Sequence, residues 1–110
     1  MPKFVTIGYG DRNGYDRTDA AVRDAAHAHD ARLRGAGVVM GTVGTPIQVR
    51  NPGAGRIETK TGCFMISSLP VAGFAIFEAE NLAEAVTMMS KTPCAVAQGV
   101  VEVWPLEEPP

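Results

Sequence analysis

The chain has few of the residues from which function is usually read. Its 110 residues hold two cysteines, Cys63 and Cys94, and two histidines, His27 and His29. The cysteines form no metal-spaced pair, so two reduced thiols are expected rather than a zinc site or a disulfide. His27 and His29 stand two positions apart, which on a helix points them in different directions and argues against a shared metal. No run of Lys or Arg occurs and the formal net charge is -2, so a nucleic-acid partner is not expected. No apolar run approaches the roughly 18 residues of a membrane span. Met1-Pro2-Lys3 leads straight into a strand-like stretch, without the basic-then-apolar layout of a secretion signal, and a cytoplasmic location is expected. Gly8-x-Gly10 does not open a helix and its third glycine is misplaced, so it is no dinucleotide fingerprint. No cofactor or metal is expected.

What is present is an ordinary globular composition, 45% apolar and 20% charged, with no internal repeat. One domain over residues 1–110 is expected. Lys3 to Tyr9 alternates with period two, as a strand does. Gly10 to Arg17 is rich in Gly, Asp and Asn and reads as a loop. Thr18 or Asp19 can cap a helix in which Val22, Ala25, Ala26, His29, Leu33 and Ala36 share one face, and Gly35 and Gly37 supply its exit. Val38 to Val43 reads as a second strand. Ile47 to Arg50 and Arg56 to Lys60 flank Asn51-Pro52-Gly53-Ala54-Gly55 as the arms of a hairpin. Thr61 to Ala72 is irregular. Gly73 to Ala79 is a third main strand. Asn81 caps a second helix, with Glu84 placed as in a capping box and Pro93 as its stop. Gln98 to Trp104 is the last strand, and a frayed tail is expected over 105–110.

This order predicts an α+β, ferredoxin-like split βαβ sheet with an added hairpin. Each main strand is partly apolar on both sides: Phe4 opposes Val5, Phe74 opposes Phe77, and Trp104 opposes Val103. Helices cover one sheet face. The other would be left wet in a monomer, so a homodimer is expected, with folding of 61–72 over that face as the alternative.

Several segments, in this order, carry a resemblance to a known family. They are Tyr9-Gly10-Asp11, Leu33-Arg34-Gly35-Ala36-Gly37-Val38, Thr61-Gly62-Cys63-Phe64, Gly73-Phe74, Asn81-Leu82-Ala83-Glu84-Ala85, and Gln98 to Val103. Together they resemble the YCII-related proteins of the DGPF type over nearly the whole chain. The resemblance implies a ferredoxin-like subunit that assembles as a dimeric α+β barrel with clefts between sheet, helices and partner. It also implies small-molecule chemistry around a His and an Asp. In this chain Thr92 stands where the family has that Asp, Ala26 where it has that His, and Thr61-Gly62-Cys63-Phe64 where it has D-G-P-F.

Among the chemical groups, His29 lies on the apolar helical stripe one turn after Ala26 and is the candidate catalytic residue, since an imidazole can give or take a proton near neutrality. The competing reading is a core-edge histidine bonded to backbone. His27 is placed on the solvent face. Asp30 follows His29 in sequence but leaves its helical face, so it is a poor partner for that ring. Tyr9, Asp11, Phe64, Thr92 and Trp104 are the candidate ligand-binding residues. Tyr9 or Thr92 would donate a hydrogen bond, Phe64 and Trp104 would form apolar walls, and Asp11 would be a cleft carboxylate or a loop-starting cap. Neither cysteine has a basic neighbour in sequence that would make it a nucleophile. Arg50 and Arg56 flank the hairpin as solvated side chains or as contacts to an acidic ligand. The expected function is a small-molecule, organic-acid enzyme with a cleft near His29, Tyr9 and Phe64. The alternative is a non-catalytic dimeric ligand-binding or accessory interaction module.

Overall fold

A computed structural model describes residues 1–107 and 109. In chain order the elements are β1 (Lys3–Tyr9), α1 (Arg12–Asp16), α2 (Ala20–Gly35), β2 (Val39–Thr42), β3 (Ile47–Arg50), β4 (Glu58–Thr61), β5 (Val71–Glu78), α3 (Leu82–Met89), α4 (Pro93–Val96) and β6 (Val100–Leu106). The fold is α+β. Four strands form an antiparallel sheet in the order β2-β5-β1-β6, and β3 pairs with β4 in a separate two-stranded sheet. β5 thus lies between β1 and β2, and β1 between β5 and β6, so both strand–helix–strand connections are split by an intervening strand. The sheet is open, with β2 and β6 as its edges. No helix among the described residues is long and apolar enough to cross a membrane.

The period-two alternation of β1 resolves into two faces. Phe4 and Thr6 are buried under the helices, while Val5, Ile7 and Tyr9 turn to the opposite face. Phe4 pairs with Phe77, their rings stacked with centroids 5.9 Å apart. Around them pack Leu33 of α2, Ala85 and Met89 of α3, and Val38 and Ala75. Full burial of a side chain of this size is worth about 1.5–3 kcal/mol, so these few residues carry the core.

Local chemistry sets the element ends. Asn81 Oδ1 accepts from Glu84 N at 2.8 Å to open α3. At the exit of α2, Gly37 takes φ 98, which lets Val38 N reach Leu33 O at 3.0 Å and Gly37 N reach Arg34 O at 3.1 Å. Val38 and Leu33 then join the same core.

Three expectations are corrected. Gly10–Arg17 is not a loop throughout: Asp11 Oδ1 accepts from Gly14 N at 2.8 Å and starts α1. Pro93 does more than stop a helix; α3 ends at Met89 and Pro93 occupies the first turn of α4, where its missing N–H costs nothing. The tail is not frayed from 105: Pro105 and Leu106 pair with Phe4 and Lys3, a place Pro tolerates because β6 is an edge strand. Of the remaining tail, Glu108 and Pro110 lie outside the described residues.

Candidate functional site

The helix-facing side of the sheet changes size along its length. Phe4 pairs with Phe77, then Thr6 with Ala75, then Gly8 with Gly73. Large rings fill the space under the helices at one end, and almost nothing fills it at the other. A cavity of about 580 Å3 results, within the roughly 300–1,000 Å3 of small-molecule pockets. Two of the glycines in this region are required by space as well. A Cβ on Gly73 would sit 2.6 Å from Gly41 O, and one on Gly8 would sit 3.0 Å from Cys94 Sγ.

The opposite wall is polar. His27, Asp30 and Arg34 of α2 line the cavity at three- and four-residue spacing, the spacing that keeps side chains on one helical face. Arg12 and Tyr15 of α1 line it from a third side, and Thr92, Cys94 and Met89 close its end. α1 is held there from two sides. Gly14 lies so close to the chain before β6 that a Cβ would be 2.8 Å from Ala97 O, and the Tyr15 hydroxyl bonds His27 Nε2 at 2.7 Å. The Arg23 guanidinium stacks over the Tyr15 ring, 4.9 Å from its centroid.

Asp30 is the anomalous group. It is 9% exposed, and its Oδ1 is the one buried side-chain polar atom among the described residues with no hydrogen-bond partner. Burial pushes its carboxyl above the usual carboxylate range, against the opposing pull of Arg34, His27 and His29. Burial also raises the Cys94 thiol, and the charge of Asp30 adds to it, so Cys94 favours the protonated thiol over a nucleophilic thiolate. Among the described residues the only ion pair is Arg56–Glu58 on the surface. Arg12 and Arg34 line the cavity and form no ion pair among the described residues. No group of three or more His, Cys, Asp or Glu among these residues could hold a metal ion.

The residues singled out from sequence do not come together. Thr92 and Asp11 line the cavity, but Thr92 Oγ1 already donates to Met89 O at 2.7 Å, and Asp11 is engaged as the cap of α1. His29 faces away from the cavity: its ring bonds Met88 O at 2.7 Å through Nε2, tying α2 to the end of α3. Tyr9 and Trp104 lie on the open sheet face. There the Tyr9 hydroxyl donates to Glu102 Oε1 at 2.6 Å. That bond first, then burial and the negative charge of Glu102, raises its phenol. Phe64 is 82% exposed outside the sheet. Within one chain His29, Tyr9 and Phe64 thus do not line a common cleft.

Sequence reasoning missed His27, Asp30 and Arg34. Their spacing was the available signal, since Asp30 is three positions from His27 although it leaves the face of His29. The shrinking series Phe4, Thr6, Gly8 was the other. Comparison with known proteins adds nothing to the geometry: no family model matches the chain, and no curated protein does.

Proposed function

We propose that the cavity binds a small organic acid and that Asp30 exchanges a proton with it. The observation that carries this reading is the Asp30 carboxyl, buried in the cavity wall with an unpartnered oxygen. Leaving such a group unmatched costs about 1–3 kcal/mol, a cost that a ligand hydrogen bond would remove. Carboxyls raised by burial at the wall of a cleft are also candidates for general acids and bases. His27, one helical turn away at the rim, is the proton relay to solvent. Arg12 and Arg34 meet the ligand's carboxylate, and the glycine-floored sheet and Met89 take its apolar body.

The same reading keeps the chain as a ferredoxin-like subunit of the YCII-related, DGPF type. The split strand order supports the first part. The second rests on the order of the motifs and on Thr92, at the family's Asp position, lining the cavity. Asp30 and His27 would then do from α2 what the family does from other positions. Thr92 also favours a second reading, a non-catalytic ligand-binding module. It replaces a carboxylate, and its hydroxyl is already used by the backbone.

A thermal-shift screen against small organic acids, followed by product analysis, tests both readings. A ligand at 100 times its Kd adds about 2.7 kcal/mol, a melting shift on the order of 10 °C for a domain of this size. A shift with turnover that Asp30→Asn abolishes supports the enzyme. A shift without product supports the binding module. No shift with any acid overturns the cavity reading.

A further inference from the structure

The charge of the cavity is finely balanced. Arg12 and Arg34 line it as cations, Asp11 and Asp30 as carboxyls, and His27 as an imidazole. With His27 neutral and both carboxyls ionised, these groups cancel. With Asp30 protonated, the lining carries a charge of +1. Asp11 is fixed in its ionised role, because its Oδ1 accepts from Gly14 N. Asp30 is the carboxyl that is free to change. It is 9% exposed, its Oδ1 has no partner, and burial favours its protonated form.

The groups that act on Asp30 come from the helices. His27, His29 and Arg34 act from its own helix α2, and the Cys94 thiol stands across from it on α4. Asp11, Arg12 and Tyr15 line the same cavity at α1. The sheet and the end of α3 place no charged side chain on the cavity. The neighbouring cations pull Asp30 toward its ionised form, and an arriving anion pushes the other way. Arg34 is one helical turn from Asp30, so a carboxylate seated on Arg34 lies beside the Asp30 carboxyl. Two carboxylates in one site cannot both remain ionised, and one of them keeps a proton. The hydrogen bond between acid and carboxylate is then of the strong, charge-assisted kind, and the orphaned Oδ1 has a partner.

We infer that the cavity takes up its ligand as a singly charged acid together with one proton, held between Asp30 and the ligand's carboxylate. This rests on the reading of the cavity as an organic-acid site and adds to it the charge of the acid and the linkage of its binding to pH. The proton comes from solvent, and no covalent bond changes. A monocarboxylate with its proton brings the lining to neutrality. A dicarboxylate leaves one surplus negative charge, and its second carboxylate falls against Met40, Phe74, Met89 and Val101, where an unpaired charge is costly. A neutral amide leaves both arginines without a counter-charge.

Titration calorimetry of the full chain tests this with octanoate, octanedioate and octanamide, which share one chain length and differ in charge. Octanoate is expected to bind more tightly than either of the others by roughly tenfold or more. Repeating its titration in buffers of different protonation enthalpy counts the protons. Uptake is expected to approach one per chain at pH above the free value of Asp30, where affinity falls by about tenfold for each further pH unit. Asp30→Asn offers an amide N–H in place of the acid O–H. It is expected to bind octanoate with no proton uptake and with an affinity flat in pH, whereas His27→Gln is expected to keep the uptake. Octanoate binding to the wild type without uptake overturns the inference and leaves the cavity as an organic-acid site, as does equal affinity for octanedioate. Uptake that survives in Asp30→Asn and vanishes in His27→Gln places the proton on the imidazole and overturns it too. If neither acid binds, the reading of the cavity falls and the inference falls with it.

Discussion

The Tyr15 hydroxyl and His27 Nε2 lie 2.7 Å apart, so the short helix α1 is fastened to α2 at the rim of the cavity. α1 has only five residues and cannot hold itself in place by helix propensity. Its position depends on this bond, on the close seat of Gly14, and on the Thr18 hydroxyl donating to Gly14 O. Tyr15→Phe keeps the ring and the stacked Arg23 but removes the bond. Stability is expected to fall by only about 0.5–1.5 kcal/mol. The amides of α1 are expected to exchange several-fold faster while those of α2 do not, and a bound ligand is expected to dissociate faster. Hydrogen exchange and stopped-flow dissociation measure the two effects. Unchanged exchange would mean that the Gly14 seat and the Thr18 bond hold α1 without it.

The raised carboxyl of Asp30 makes stability depend on pH with a definite sign. The folded protein holds this proton more tightly than the unfolded chain does. The contribution is fully present below the unfolded carboxylate value and is lost as pH rises through the folded value. Asp30→Asn cannot ionise. It is expected to run parallel to the wild type in acid and to gain on it as pH rises through the folded value of Asp30. Urea unfolding of both proteins across this range reads the difference. A constant difference at every pH would mean that Asp30 does not titrate on folding.

The elements were largely legible because their signals are local. Alternation in Lys3–Tyr9, the cap at Asn81 and the exit at Gly37 act within a few residues, and the structure uses each of them. The helix α1 was not legible, because a single Asp cap gives a weak start and its Gly14 is chosen for contact with Ala97, far along the chain. The site was lost through the orientation of α2. Ala-rich helices carry little apolar contrast, and the side of α2 that faces the cavity presents polar groups to a space rather than apolar groups to a core. His29 on the apolar stripe is therefore the conspicuous group in the sequence, whereas His27, Asp30 and Arg34 line the cavity. The cavity itself follows from small residues on two strands paired in register, and register is a long-range property.

The two histidines separate function from structure. His29→Ala removes the bond to Met88 O and leaves that carbonyl to find water. A loss of about 0.5–1.5 kcal/mol in stability is expected, with ligand affinity and any turnover unchanged. His27→Ala removes the same bond as Tyr15→Phe, so a similar loss of about 0.5–1.5 kcal/mol is expected, but here proton transfer at the cavity also slows at least tenfold. Calorimetric binding and product formation, measured beside thermal melts of both variants, distinguish the roles. If His29→Ala abolished binding with the melt unchanged, the assignment of the cavity would be wrong.

Gly8 and the Cys94 side chain meet closely in the cavity floor, and they can be traded against each other. A methyl on Gly8 would stand 3.0 Å from Cys94 Sγ and 3.3 Å from its Cβ, nearer than a carbon rests comfortably. Gly8→Ala is therefore expected to push the Cys94 side chain into the cavity, weakening ligand binding more than it weakens the fold. Cys94→Ala removes the obstructing sulfur. The double variant should bind better than Gly8→Ala alone, a coupling that a double-mutant cycle reads directly. Gly73→Ala offers the contrast. Its methyl would meet Gly41 O at 2.6 Å, and a backbone atom in a paired strand cannot rotate away. It is expected to lose about 1–3 kcal/mol by overpacking, and no side-chain truncation should rescue it. Equal rescue of both glycine variants by Cys94→Ala would show that the floor of the cavity yields as a whole rather than at Cys94.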